Sequence, residues 1–109
     1  MDNNNTLPDP VDVDPMIEWR RHLRLNLLRT LTKVPGYTSP ETVLADVARL
    51  YGFAASGAVV REELDWLGSA GLIVVSPVPN WHLVVMLTDA GEDVAEGRTR
   101  VDGVARGRP

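Results

Sequence analysis

The stretch SGAVVREELDWLGSAGLIVVSPVPNWHLVVML, residues 56–87, decides the fold of this 109-residue chain. Its first part has apolar residues at i, i+4 and i+7, which form one stripe of a helix: Val60, Leu64 and Leu67. Gly71 follows this stripe and is expected to end the helix. The apolar, β-branched runs 72–75 and 81–87 flank the proline-rich link 76–80, which predicts a β-hairpin. A helix followed by a hairpin is the layout of a recognition helix and its wing.

Two amphipathic helices are predicted before this stretch. The first begins at Asp14 and Pro15, because aspartate caps helix amides and proline suits the first helical position. Its apolar stripe consists of Met16, Trp19, Leu23, Leu27, Leu31 and Val34. The second has either Thr38 or Ser39 as its cap and stops near Gly52. Its apolar residues are Val43, Leu44, Val47 and Leu50.

A short helix is predicted after the hairpin, with Thr88 as its cap and Gly97 at its end. The fold class is therefore α+β, a winged helix-turn-helix with three helices, a two-stranded wing hairpin and a C-terminal helix. We place this domain at residues 15–97. Residues 1–14 are predicted to be a disordered acidic tail, and residues 98–109 a basic flexible tail.

Composition indicates a globular protein. Hydrophobic residues make up 44% of the chain and charged residues 24%, and there is no cysteine, so disulfides and thiolate metal sites are excluded. No apolar run is long enough to span a bilayer, and the N-terminus has no basic region followed by an apolar one. We expect a cytoplasmic protein.

The net charge of −4 is unevenly distributed along the chain. Residues 1–14 carry −4, residues 15–34 carry +4, residues 35–97 carry −7, and residues 98–109 carry +3. The predicted recognition helix therefore lies in the acidic part of the chain. The basic first helix and the acidic middle segment are electrostatically complementary.

Several motifs in the second half of the chain carry a family resemblance: Val60-Arg61, Trp66-Leu67, Ala70-Gly71-Leu72, Leu87-Thr88 and the string from Gly97 to Val104. Through them, residues 23–108 resemble a family of small proteins from Mu-like phages and prophages, described as winged-helix proteins related to ArsR-type regulators. The resemblance implies this fold and a phage context inside a bacterial host cell. The family's third helix tends to carry several arginines, whereas this helix has only Arg61 beside its acids.

DNA binding is the first functional hypothesis, as a transcriptional regulator of a phage or prophage. A helix in the major groove needs donors for base edges and cations for phosphates. Helical geometry places Ala58, Arg61, Glu62, Asp65 and Ser69 on the outward face of the third helix. The candidate contacts to double-stranded DNA are Ser56, Gly57, Arg61, Arg98, Arg100, Arg106 and Arg108.

The alternative is a protein-interaction or self-assembly module in phage morphogenesis or DNA packaging, which reads no DNA. Its partner is a second copy of the chain or another phage protein. The candidate interface residues are Trp19, Val59 and Trp66. For Trp66 a place at the edge of the core, against the first helix, is favoured over a contact surface.

Enzymatic activity has little support in the sequence. The two histidines, His22 and His82, have no metal-binding spacing, and there is no phosphate-binding loop or nucleophile motif. We therefore predict no catalytic residue, metal site, cofactor or small-molecule substrate. The apolar stripe of the first helix is needed for the core, so membrane binding is not expected either.

Overall fold

The computed structural model describes residues 14–78 and 82–107. In this part of the chain there are four α-helices: α1 (Pro15–Leu31), α2 (Glu41–Leu50), α3 (Gly57–Ser69) and α4 (Asp89–Ala95). Three strands form one antiparallel sheet in the order β1-β3-β2: β1 (Thr38–Pro40), β2 (Ile73–Val78) and β3 (His82–Leu87). The α+β class is confirmed, and this order of elements is compatible with a winged helix-turn-helix.

The helix caps follow the predicted chemistry. Asp14 Oδ1 accepts a hydrogen bond from the Met16 amide at 2.9 Å. Ser56 caps α3 and Thr88 caps α4 in the same way, each accepting from an amide three residues later. Gly71, with φ of 77°, ends α3 as expected, because this left-handed conformation costs glycine little. Local sequence therefore sets where these three helices begin and where α3 ends.

The core lies between the helices and the inner face of the sheet. Met16 was predicted to belong to the buried stripe of α1 but is 49% exposed, since the first turn of α1 projects beyond the core. The largest fully buried side chains are Leu23, Leu27, Leu28, Leu31, Leu44, Leu64, Leu67, Val60 and Val85. Within the described residues, no helix is both long enough and apolar enough to cross a membrane.

The segment before α2 differs from its prediction. Thr38 and Ser39 are not helix caps; they form strand β1, where Thr38 is paired with Met86 and Ser39 with Val85 of β3. The position of the N-cap is taken by Pro40, whose side chain makes no capping hydrogen bond. Pairing with the distant strand β3 keeps residues 38–40 extended and satisfies backbone groups of that segment.

The predicted flexible tail from residue 98 is also different in the structure. Val104 and Ala105 are only 3% and 5% exposed and belong to the core. The Ala105 amide donates to the Arg21 carbonyl of α1 at 3.1 Å. Residues 101–107 therefore extend the folded unit, because they cover apolar surface that α1 and α4 leave open. We call residues 101–107 the C-terminal segment. Residues 1–13, most of the predicted acidic tail, lie outside the described residues.

Candidate functional site

The outward face of α3, defined above by five residues, was the predicted DNA-reading surface. Ser56 uses its hydroxyl oxygen to cap the helix, accepting from the Val59 amide at 3.2 Å. Gly57 is exposed at the first position of α3, with open space where a Cβ would stand. Both residues are accessible at one end of this surface, but neither contributes a charge.

Arg61 is held by a carboxylate from the neighbouring helix. Its Nε donates to Glu41 Oε2 at 3.0 Å and its Nη2 donates to Glu41 Oε1, a two-point pairing that fixes the plane of the guanidinium. These hydrogen bonds to Glu41, followed by its charge, raise the pKa of Arg61 above its usual value. The cation predicted to contact DNA is therefore already paired with an acid.

A cleft between α2 and α3 adjoins this pair, with a volume of about 660 Å³. We call it the acidic cleft. Four carboxylates line it against two guanidinium groups, those of Arg49 and Arg61, and Arg49 donates to Asp46 Oδ1 at 2.8 Å. The acids are Glu41, Asp46, Glu62 and Asp65, and the rest of the wall is Thr42, Ala45, Gly57, Ala58 and Val60.

The C-terminal segment packs on a different side of α3. The C-terminal segment lies against Trp66, which is about 140° around the helix from Arg61. Arg98 bonds Asp93 Oδ1 at 2.8 Å, and this hydrogen bond raises the pKa of Arg98. Arg100 and Arg106 are exposed, whereas Arg108 lies outside the described residues.

The three predicted interface residues pack against the core. The Trp19 ring meets Phe53 edge to face, with ring centroids 5.8 Å apart. Val59 is partly buried, and the Trp66 ring lies under the Arg24 guanidinium at 4.0 Å from its centroid. Another protein could contact only the partly exposed edges of these side chains. Their role at an interface stays a prediction.

Glu63 is a buried residue that the sequence analysis missed. It is 2% exposed, and its carboxylate accepts from Arg20 Nη1 and, at 2.5 Å, from Arg24 Nε. Arg24 also donates to the Gly103 carbonyl at 2.9 Å, so one guanidinium joins α1, α3 and the C-terminal segment. A signal was present, because Glu63 lies three residues after Val60 on the apolar stripe of α3. We call this group, completed by Trp66, the Glu63 cluster.

A second cavity lies between α1 and the end of α2, with a volume of about 490 Å³. We call it the basic groove. Its apolar lining is Leu25, Val34, Val47, Tyr51 and Phe53, and its polar lining is His22, Asn26, Arg29, Thr30 and Lys33. Four of the polar residues recur at i, i+4, i+7 and i+11 along α1, a spacing that could have shown this surface in the sequence.

Two features of the basic groove indicate that it can accept a partner. Neither Arg29 nor Lys33 makes an ion pair within residues 14–78 and 82–107. The Asn26 side-chain oxygen is buried and accepts no hydrogen bond there. Buried acceptors are normally satisfied, so this unpaired oxygen beside the groove is an exception. No three metal-ligating side chains come together in the described part of the chain.

An uncharacterized protein of Escherichia phage Mu, gp26, is 43% identical to this chain over 86 residues. The aligned region covers 79% of this chain and 88% of the phage protein. No protein-family model matches the sequence.

Proposed function

This chain belongs to the family of the phage Mu protein gp26, and on that premise we propose that it is a phage or prophage accessory protein that acts as a non-enzymatic protein-interaction module. We further propose that its scaffold is a winged helix-turn-helix of the ArsR-like type. In this assignment α2 and α3 form the helix-turn-helix, and β2 with β3 forms the wing. The protein would act in the cytoplasm of the bacterial host.

The charge of the outward face of α3 is the observation that carries this proposal. Arg61 is engaged by Glu41, while Glu62 and Asp65 remain exposed beside it. Carboxylates at this position repel phosphates, and non-specific affinity for DNA comes mainly from cations that neutralise phosphates. The same face is better suited to a protein partner, because a protein surface can present basic groups to it and DNA cannot.

A mobility-shift assay tests the proposal with fragments of phage Mu DNA and an unrelated duplex. We expect no shift at about 1 μM protein in about 50 mM salt. A double variant, Glu62→Lys with Asp65→Lys, serves as the matched control. It should gain a salt-sensitive shift, which would show that a duplex can reach α3. A tight shift by the unmodified protein that is lost in Arg61→Gln would contradict the proposal.

A DNA-binding regulator is the second candidate function, and one observation favours it. Arg100 and Arg106 are exposed and make no ion pair among the described residues, so they are available to phosphates. Under this candidate the unmodified protein shifts DNA, Arg100→Gln with Arg106→Gln abolishes the shift, and Arg61→Gln leaves it unchanged. That pattern would replace the recognition helix with a basic arm as the DNA-contacting element.

A further inference from the structure

We propose that the protein assembles with copies of itself, the acidic cleft of one copy docking on the basic groove of the next. This inference rests on the proposed function and names its partner. Both surfaces lie within the described residues and are formed by different sides of the same domain. Three features of the molecule support this contact: the charge of each surface, the apolar group that joins them and the geometry of the contact.

The first feature is the charge complementarity of the basic groove and the acidic cleft. Arg29 and Lys33 line the basic groove, and no carboxylate is among its lining residues. The acidic cleft has an excess of two carboxylates over its guanidinium groups, and its Glu62 and Asp65 are exposed. The two surfaces therefore carry equal and opposite formal charge. Exposed charges of opposite sign steer two proteins into register and penalise contacts between like surfaces.

The second feature is an exposed apolar pair at the end of α2, Leu50 and Tyr51, which we call the apolar knob. Leu50 and Tyr51 are 85% and 67% exposed, and among the described residues Leu50 is the most exposed large hydrophobic one. Tyr51 lines the basic groove, so the knob stands beside Arg29 and Lys33. The acidic cleft has small residues on its wall, including Ala45 and Ala58, which leave space for a leucine or tyrosine side chain. Burying the knob removes this apolar surface from water.

The third feature is the geometry of the contact, which follows from where the two surfaces lie in the fold. The basic groove lies between α1 and α2, whereas the acidic cleft lies between α2 and α3. A contact between two different surfaces is head-to-tail, so each bound copy still presents a free cleft or a free groove. Such contacts produce closed rings or open chains.

Sedimentation velocity over a concentration series tests the proposal with the full-length protein. We expect assembly that strengthens with concentration in about 20 mM salt and weakens at least about tenfold in about 300 mM salt, where exposed charges are screened. Leu50→Ser should also weaken association about tenfold, because it removes the exposed end of the knob. A monomer at every concentration in low salt would overturn the proposal.

Charge reversal makes the test specific to these two surfaces. Arg29→Glu with Lys33→Glu reverses the groove, and Glu62→Lys with Asp65→Lys reverses the cleft. Each double variant alone should be monomeric, because all its docking surfaces then carry the same sign. An equimolar mixture should assemble again, since every groove then meets a cleft of opposite sign. Arg100→Glu with Arg106→Glu is the matched control for net charge and should assemble like the unmodified protein.

The outcomes separate this inference from the function on which it rests. Assembly that neither reversal weakens, or a mixture that fails to assemble, overturns the groove-to-cleft contact. Neither result bears on the mobility-shift assay, so the protein would remain an interaction module with a different partner. Circular dichroism of each variant checks that the protein is still folded. We expect every variant to fold, because all the substituted residues are exposed.

Discussion

The two sides of α3 each carry a glutamate–arginine pairing, and the pairings differ in their surroundings. The Glu63 side chain is 3% exposed and is shared by two guanidinium groups. On the other side, Glu41 is 11% exposed and pairs with Arg61, whose side chain remains 47% exposed. Both carboxylates are therefore buried, and the difference lies in their cations. The Glu63 cluster joins three parts of the fold through two guanidinium groups, whereas the Glu41–Arg61 pair joins α2 to α3 through one half-exposed guanidinium.

The physical reason lies in desolvation. A carboxylate removed from water needs cations and donors in good geometry, and removing one partner leaves an uncompensated charge. An ion pair at the surface can exchange its partner for water at little cost. Substitutions at the Glu63 cluster should therefore change the free energy of unfolding, while those on the outward face of α3 should mainly change what the protein binds.

Removal of residues 98–109 should have the largest effect. The deletion exposes the surface covered by Val104 and Ala105 and removes the hydrogen bonds from Arg24 to Gly103 and from Ala105 to Arg21. We expect the free energy of unfolding to fall by about 4 kcal/mol, measured by urea denaturation. A deletion variant as stable as the whole chain would contradict the observed packing of the C-terminal segment.

Glu63→Gln should have the next largest effect. It removes the negative charge that two guanidinium groups share, and we expect a loss of about 3 kcal/mol, at the low end for buried pairs because Arg20 is about one-third exposed. The exposed neighbour provides the control, since Glu62→Gln should change stability by less than about 0.5 kcal/mol. Equal losses in the free energy of unfolding for Glu63→Gln and Glu62→Gln would contradict the distinction between the two sides of α3.

Gly103→Ala tests the contact between the C-terminal segment and α3. Gly103 has φ of 93°, and an added Cβ would stand 2.5 Å from Trp66 Cζ2. Backbone strain and this clash should together cost about 2 kcal/mol, seen as a lower melting temperature. Gly57→Ala is the matched substitution on the other side, where nothing lies within 4 Å of the added Cβ. It should leave the melting temperature nearly unchanged.

Arg61→Gln should have the smallest effect on stability of the four. Glu41 is only 11% exposed, but the Arg61 side chain beside it is 47% exposed, so water can reach the space that the guanidinium leaves. The loss in melting temperature should therefore be smaller than that for Gly103→Ala. The variant should still make the outward face of α3 more acidic, which gel electrophoresis under native conditions would show as faster migration towards the anode. A loss of stability as large as that of Glu63→Gln would show that the Glu41–Arg61 pair stabilises the fold.

Much of the fold was predictable because it depends on local chemistry. Asp14, Ser56 and Thr88 cap their helices with their own side chains, and Gly71 ends α3 through its own conformation. The hairpin strands were also predicted, although β2 continues through Pro77 to Val78. Strand β1 was missed because its three residues are extended only through pairing with β3, 44 to 48 positions away in the chain.

The candidate site was less predictable. Arg61 was identified as an outward cation, but its partner Glu41 lies 20 residues away on another helix, and periodicity within α3 carries no information about that contact. The basic groove needs α1 and α2 side by side before its cations and aromatic rings share one cavity. Charge counts by segment showed the complementarity of the first helix and the middle of the chain without showing which charges are neutralised inside the fold.

The sequence alone determined the helices, the caps of α1, α3 and α4, the hairpin and the acidic character of α3, because each depends on residues within a few positions of one another. Tertiary structure decided the rest. It turned the glycine-rich C-terminal segment into part of the core, since Val104 and Ala105 find apolar surface only when α1 and α4 are in place. It also divided the charges of α3 between a buried Glu63 and an exposed acidic face, because only the position of α1 brings Arg20 and Arg24 to one side of the helix.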